Sequence, residues 1–213
     1  MASSVLRWTL PALFAVGASG CVATVERLPA PDYPMRWSFD DQQAGQFTTT
    51  TRRSGSWVVR PRPDGQVDRN ALCATAVSTA RMLRLSPFVY ADVRLTARLR
   101  MPDETIVQES GLLLRLQSTK SGYLLRINSG RDTIAWDKLE NGQRTLLRKA
   151  PLPVMAGEWR ELQAEARGGA LTGSVNGWKL IEAQDASYDS GQVGVWTQAD
   201  TPSCYLDIGA DPP

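Results

Sequence analysis

The chain contains no histidine. That removes the commonest general base and the commonest transition-metal ligand, which excludes a Ser-His-Asp hydrolase and argues against a zinc enzyme. Carboxyl pairs are the next chemistry to seek. Hydrolysis of a glycosidic bond uses two of them, about 5–5.5 Å apart for retention or about 6.5–9.5 Å for inversion. Glu161 and Glu165 share a strand face, but four residues at about 3.3 Å each set them roughly 13 Å apart, which is too far. Glu104 and Glu109 follow Pro102 and Asp103 in a turn-like segment. They are the candidate catalytic acids, since loop carboxyls could reach into a cleft, although loop acids are more often simply solvated.

Arginines form the second constellation. Arg94, Arg98 and Arg100 fall on one face of a strand, and Arg115 and Arg126 lie opposite the apolar residues of the next two. Guanidinium groups take carboxylates and hydroxyls through a fixed fork of donors. If these strands meander in order, Arg98, Arg115 and Arg126 line one groove. It would suit an acidic or hydroxyl-rich glycan, with Trp136, Trp178 or Trp196 stacking on sugar rings. The competing reading is a hydrophilic outer sheet face whose arginines pair with Asp92, Asp137 or Glu165, with the tryptophans in the core.

The elements that must position these groups are strands. From Val89 to Arg100 apolar residues alternate with polar ones, Val89, Ala91, Val93, Leu95, Ala97 and Leu99 forming one face. That period of two predicts a half-buried strand. Leu112, Leu114 and Leu116 repeat it with Leu113, Arg115 and Gln117 opposite; Tyr123, Leu125 and Ile127 follow, then Ile134 and Trp136. Leu162, Ala164 and Ala166 form the apolar side of the run from Trp159. Asn176-Gly177, between Leu171–Val175 and Trp178–Ala183, is a type I′ hairpin signal. Gln192–Thr197 and Ser203–Ile208 complete the set. Ala71–Leu85 is the one helix-like stretch, and its Arg81–Leu85 portion reads equally well as strand. About a dozen short strands with turns between them predict an all-β, two-sheet antiparallel sandwich. The net charge of +2 makes no case for nucleic acid.

The amino terminus predicts export. Arg7 precedes an apolar run from Trp8 to Val16, shorter than the ~20 residues a spanning helix needs. Ala18-Ser19-Gly20-Cys21 resembles the bacterial lipobox, with Ala18 where Leu is usual. That resemblance implies a diacylated Cys21 at the mature terminus, and Val22 in place of aspartate implies the outer membrane. Ala15-Val16-Gly17 could instead serve an ordinary signal peptidase. Residues 1–20 are thus read as a signal, 21–35 as a tether with Pro29, Pro31 and Pro34, 36–209 as one domain, and 210–213 as a tail. With Cys21 assigned to lipid, Cys73 and Cys204 remain as an even pair in an oxidising compartment, which predicts a disulfide.

Several runs together resemble the concanavalin A-like lectin/glucanase jelly rolls, in the laminin G-like and 3-keto-disaccharide hydrolase branch. They are Trp37-Ser38-Phe39-Asp40-Asp41, Ser110-Gly111-Leu112-Leu113-Leu114-Arg115, Gly122–Ile127, Gly157–Leu162, Ser190–Thr197 and Tyr205-Leu206-Asp207. The resemblance implies two curved sheets and a carbohydrate ligand on the concave one. It implies no cofactor beyond a structural calcium that Asp40 and Asp207 could hold. The Glu-x-Asp-x-x-Glu run of the family 16 glycoside hydrolases is absent. The sequence therefore favours a lipid-anchored envelope binding module. A glycoside or keto-sugar hydrolase and a protein-binding lipoprotein are the alternatives.

Overall fold

The computed structural model describes residues 33–40, 57–65, 69–75, 80–101, 108–153, 156–198 and 201–213. These residues form fourteen strands and no helix. In chain order they are β1 (Met35–Trp37), β2 (Trp57–Pro61), β3 (Asn70–Ala74), β4 (Arg81–Arg84), β5 (Val93–Arg100), β6 (Glu109–Ser118) and β7 (Ser121–Asn128). Then come β8 (Thr133–Glu140), β9 (Gln143–Pro151), β10 (Arg160–Arg167), β11 (Ala170–Val175), β12 (Trp178–Gln184), β13 (Gln192–Thr197) and β14 (Cys204–Asp211).

They pair antiparallel into two sheets. One runs β12-β11-β10-β5-β14-β3-β2, with β1 also on β14; the other runs β4-β13-β6-β7-β8-β9. Val93, Leu95, Ala97, Leu99, Leu162, Ala164 and Ala166 of the first sheet meet Leu112, Leu114, Tyr123, Leu125, Ile127, Ile134 and Trp136 of the second in one core. The alternation read from the sequence is what makes this core, because period two puts every other side chain on one face. Asn141-Gly142 and Asn176-Gly177 both carry positive φ at each turn residue, the I′ conformation that matches strand twist.

Cys73 and Cys204 sit opposite each other on β3 and β14 and are disulfide-bonded. The bond packs with Ala71, Leu206, Val58 and Trp159 on the outer face of the eight-stranded sheet.

Four expectations change. Ala71–Leu85 contributes strand residues of β3 and β4, on different sheets, and no helix among its described residues. The strand predicted from Val89 starts at Val93; Tyr90 ahead of it is buried and bridges Gly191. Alternation also fails within β6. A bulge follows Leu114, and Arg115 takes φ of 50°. The slip turns Arg115 into the interior and sends Leu116 to the outer side with Leu113. Met35 and Ala210–Asp211, assigned to tether and tail, are strand residues paired through β1 and β14.

Candidate functional site on the six-stranded sheet

The outer face of the six-stranded sheet gathers most of the chemistry. Its register sets Trp196 (β13), Gly111 (β6), Arg126 (β7) and Ala135 (β8) in one row across the strands. The next row, at the start of β6, holds Glu109 and Asn128, and the row on the other side holds Leu113, Leu124 and Asp137. Gly111, between Trp196 and Arg126, lets the β7 backbone approach β6 closely. A Cβ there would lie 2.0 Å from the Leu125 carbonyl oxygen, so no other residue fits.

Four charges close a ring on this face. Arg126 donates from Nε to Asp137 Oδ2 at 2.6 Å and from Nη1 to Glu109 Oε1 at 2.8 Å. Arg144, on edge strand β9, donates from Nη1 to Glu109 Oε2 at 3.0 Å, and its Nε lies 3.4 Å from Asp137 Oδ2. Asn128 Nδ2 adds a third donor to Glu109, at 2.8 Å from Oε1. The side chains of Asp137, Glu109 and Arg126 are 1%, 8% and 11% exposed, while Arg144 is 37% exposed. The Arg144 guanidinium also lies 5.8 Å from the centre of the Trp196 ring, a cation–π distance.

These contacts define the shape of the face. A flat sheet would hold β9 and β13, four strands apart, about 19 Å from each other. Contact between Arg144 and Trp196 requires both side chains to lie across the face and the sheet to curl toward it. The outer face of the six-stranded sheet is therefore concave. Beneath Arg144, Trp196 packs with Leu113, Leu116, Leu124, Leu139 and Met82 as an apolar floor.

Burial pushes the Glu109 carboxyl up, but the Asn128 hydrogen bond and the Arg126 and Arg144 charges outweigh it. The net direction is down, so Glu109 is held ionised. A group in that state accepts hydrogen bonds and is a poor proton donor at neutral pH.

The other sequence candidates are scattered. Arg98 lies on the opposite outer face of the sandwich, because β5 belongs to the eight-stranded sheet and β6 and β7 to the other. There it neighbours Asp207 at 3.8 Å and the Trp159 ring. Arg115 is 1% exposed and ties surface loops together from beneath, donating to the carbonyls of Ala91, Gly168 and Tyr188 and to Asp92. Trp136 is sealed in the core. Neither Arg115 nor Trp136 can touch a ligand, and the groove expected from Arg98, Arg115 and Arg126 does not form. Asp40 and Asp207 do converge, but on Arg69: its Nε is 3.3 Å from Asp40 Oδ2 and its Nη2 2.6 Å from Asp207 Oδ1. A guanidinium thus supplies the positive charge there, and no cluster of three or more metal-ligating side chains occurs among the described residues. Glu104 and Cys21 lie outside the described residues.

Glu109, Arg126 and Trp196 are the sequence candidates that the fold brings together. Asp137 entered the sequence reading only as a pairing partner, and Arg144 and Asn128 not at all. The Asn141-Gly142 turn, which folds β9 back along β8 with Arg144 two residues on, was the available signal for Arg144.

An all-β sandwich of two antiparallel sheets with a concave outer face is the jelly roll of the concanavalin A-like lectins and glucanases, and solved structures bear this out. The chain is similar to the carbohydrate-binding module CBM66 from Bacillus subtilis, with TM-score 0.62 at 17% identity over 75% of this chain and 97% of that one. It is similar to the Bacillus licheniformis β-glucanase, with TM-score 0.58 at 9% identity over 84% and 98%. A Bacillus subtilis protein of unknown function with a galectin-like fold matches with TM-score 0.52 at 14% identity over 74% and 87%. At these identities the likeness shows the fold. No family model and no curated protein matches the sequence.

Proposed function

We propose that this chain is a lipid-anchored carbohydrate-binding module of the cell envelope, taking a hydroxyl-rich saccharide on the concave face of the six-stranded sheet. The observation that carries the reading is the ring of Glu109, Arg126, Asp137 and Arg144 set over Trp196. Carboxylates accept from sugar hydroxyls and guanidinium groups donate to them, both fixed in place before the ligand arrives. Two positive and two negative charges balance, which suits a neutral sugar better than an anion. Trp196 is 7% exposed beneath the Arg144 guanidinium, and it offers its flat apolar ring to a sugar once that guanidinium swings aside. The likeness to a carbohydrate-binding module and to a glucanase supports a saccharide as the ligand class.

The ionised state of Glu109 weighs against its serving as the acid in the hydrolase alternative, since a glycosidase acid must hold its proton near neutral pH. Attachment to the outer membrane through acylated Cys21 rests on Ala18-Ser19-Gly20-Cys21 and Val22, and durable anchoring on more than one acyl chain.

A glycan array followed by calorimetry tests the binding. The full chain should bind a neutral saccharide without releasing reducing sugar, and Arg126→Ala should abolish that binding. Sugar release that disappears in Glu109→Gln would establish the hydrolase instead. Mass spectrometry of the cell-derived protein should find diacylglycerol on Cys21; an unmodified terminus after Gly17 would rule the anchor out.

A further inference from the structure

The described residues expose three large hydrophobic side chains: Leu146, Trp178 and Leu180. All three lie on β9 and β12, the open edge strands of the two sheets. Between these edges runs a cleft of about 440 Å³ lined by Arg148, Lys149, Ala150 and Pro151 on one side and Lys179, Leu180, Ile181 and Glu182 on the other. Trp178 directly precedes the β12 lining run and is 76% exposed, whereas Trp57, Trp136 and Trp196 are almost wholly buried.

The charge of the cleft is one-sided. Lys179 pairs with Glu182 at 2.8 Å, and both are mostly exposed. Arg148 and Lys149 have no carboxylate partner among the described residues. Two unopposed cations therefore flank the cleft from the two faces of the edge strand, Arg148 opposite the core residue Trp136 and Lys149 opposite Ala135, and Trp178 stands next to the β12 wall. Charged edge residues commonly serve only to block strand pairing between molecules. That role gives no reason to expose Trp178, Leu180 and Leu146 on the same two edges, since apolar side chains there invite the association the charges prevent.

We propose that the β9–β12 cleft is a second saccharide site, for a glycan bearing carboxylate, sulfate or phosphate groups. Arg148 and Lys149 take the anionic substituents, and Trp178 stacks against a ring of the chain. A charged fork and a flat aromatic are the two elements needed to hold an acidic sugar, and the cleft is large enough for a sugar unit rather than a lone ion. The site lies on the edges of the sandwich, with Lys149 beyond Ala135 at the end of the row that holds Arg126, and its existence does not depend on the concave-face reading.

The test uses the full chain in detergent with three polymers: polygalacturonate, dextran sulfate and uncharged dextran. At least one acidic polymer should bind, uncharged dextran should not occupy the cleft, and raising salt from about 50 to about 300 mM should weaken the acidic binding severalfold. Arg148→Ala/Lys149→Ala should weaken it at least tenfold and Trp178→Ala about fivefold, with melting temperatures unchanged. Lys120→Ala/Arg131→Ala, which removes the same charge elsewhere on the surface, should have no effect. Arg126→Ala, assayed below its melting point, should retain acidic binding, which separates this site from the concave face. Equal affinity for acidic polymers with and without Arg148 and Lys149 would overturn the proposal. So would a Trp178→Ala variant that binds as tightly as the parent. Arg148- and Lys149-dependent binding to anionic phospholipid vesicles, with none to either acidic polymer, would overturn it in favour of a membrane contact.

Discussion

Replacing Arg126 with alanine removes the guanidinium that joins Glu109 to Asp137 and leaves two carboxylates in a space built for an ion-paired ring. Asp137 loses its 2.6 Å donor and keeps only the 3.4 Å approach of Arg144. Glu109 keeps Arg144 and Asn128. Breaking a buried pair from one side costs about 3–5 kcal/mol, because the remaining charge stays desolvated. In a protein of this size each kcal/mol moves the melting temperature by about 2–4 °C, so the loss should be roughly 6–20 °C. The pH dependence carries a sign. Glu109 is depressed in the native state, so its contribution is full above the ordinary carboxyl range and is lost as pH falls through the native value. Without Arg126 the burial that pushes this carboxyl up is less opposed, and protonation becomes easier in the folded protein. The stability gap between parent and variant should therefore be widest at neutral pH and narrow on acidification. Urea denaturation at several pH values between about 4 and 7 reads this directly. A variant that melts within 2 °C of the parent, with a parallel pH profile, would refute the buried ring.

Further outcomes follow from the same geometry. The Cys73–Cys204 bond spans 131 residues, and its loss through Cys73→Ser/Cys204→Ser should cost about 5 kcal/mol on the chain-entropy account; denaturation curves of oxidised and reduced protein that superimpose would refute it. Arg144→Ala removes an exposed member of the ring and should cost no more than about 1 kcal/mol. It also uncovers Trp196, so stopped-flow tryptophan fluorescence should show faster saccharide association, and a slower rate would contradict the packing described. Trp136→Ala opens a core cavity and should cost about 3–5 kcal/mol while leaving saccharide affinity unchanged at a temperature where the variant is folded. Calorimetry showing a selective affinity loss there would place Trp136 at the ligand after all.

Much of the fold was legible because one physical rule covers it. Where a strand has one face in the core and no bulge, period two gives both its existence and its facing, as for Leu162, Ala164 and Ala166. The disulfide was legible from the even pair of cysteines left once export and a lipidated Cys21 are expected. The rule fails at irregularities that leave no mark in the pattern. Nothing in Leu112–Gln117 announces that the chain turns left-handed at Arg115, and one such residue inverts the facing of all that follow. The site was legible only in part, because it depends on which strands share a sheet. Arg98 and Arg126 look equivalent in sequence, each opposite apolar neighbours, yet β5 and β7 lie in different layers. Arg144 and Glu109 are 35 residues apart and meet because the sheet curls. Curvature arises from twist and bulges summed over several strands, which no single segment carries.

The two arginine-rich faces of the sandwich differ in what their charges accomplish. On the eight-stranded sheet Arg94 pairs with Glu165, Arg36 with Asp211 and Arg69 with Asp207, all at least a fifth exposed. Such pairs are screened by water and contribute at most about 1 kcal/mol each. They serve as a solvated surface. On the concave face Asp137 and Glu109 have surrendered nearly all their water. Desolvating an ion costs several kcal/mol, and well-packed apolar residues in the same volume often give equal or greater stability. Leu113, Leu124 and Leu139 already provide an apolar floor that could extend across the position the ring occupies. Stability alone thus does not call for four charges here. The binding proposed above gives a reason for them, because donors and acceptors that are already oriented and already dehydrated lose little more when a hydroxyl takes their place in the ring. The same arrangement leaves Glu109 unsuited to the acid role in hydrolysis, since the Asn128 hydrogen bond and the two arginines keep it from carrying the proton a leaving group would need.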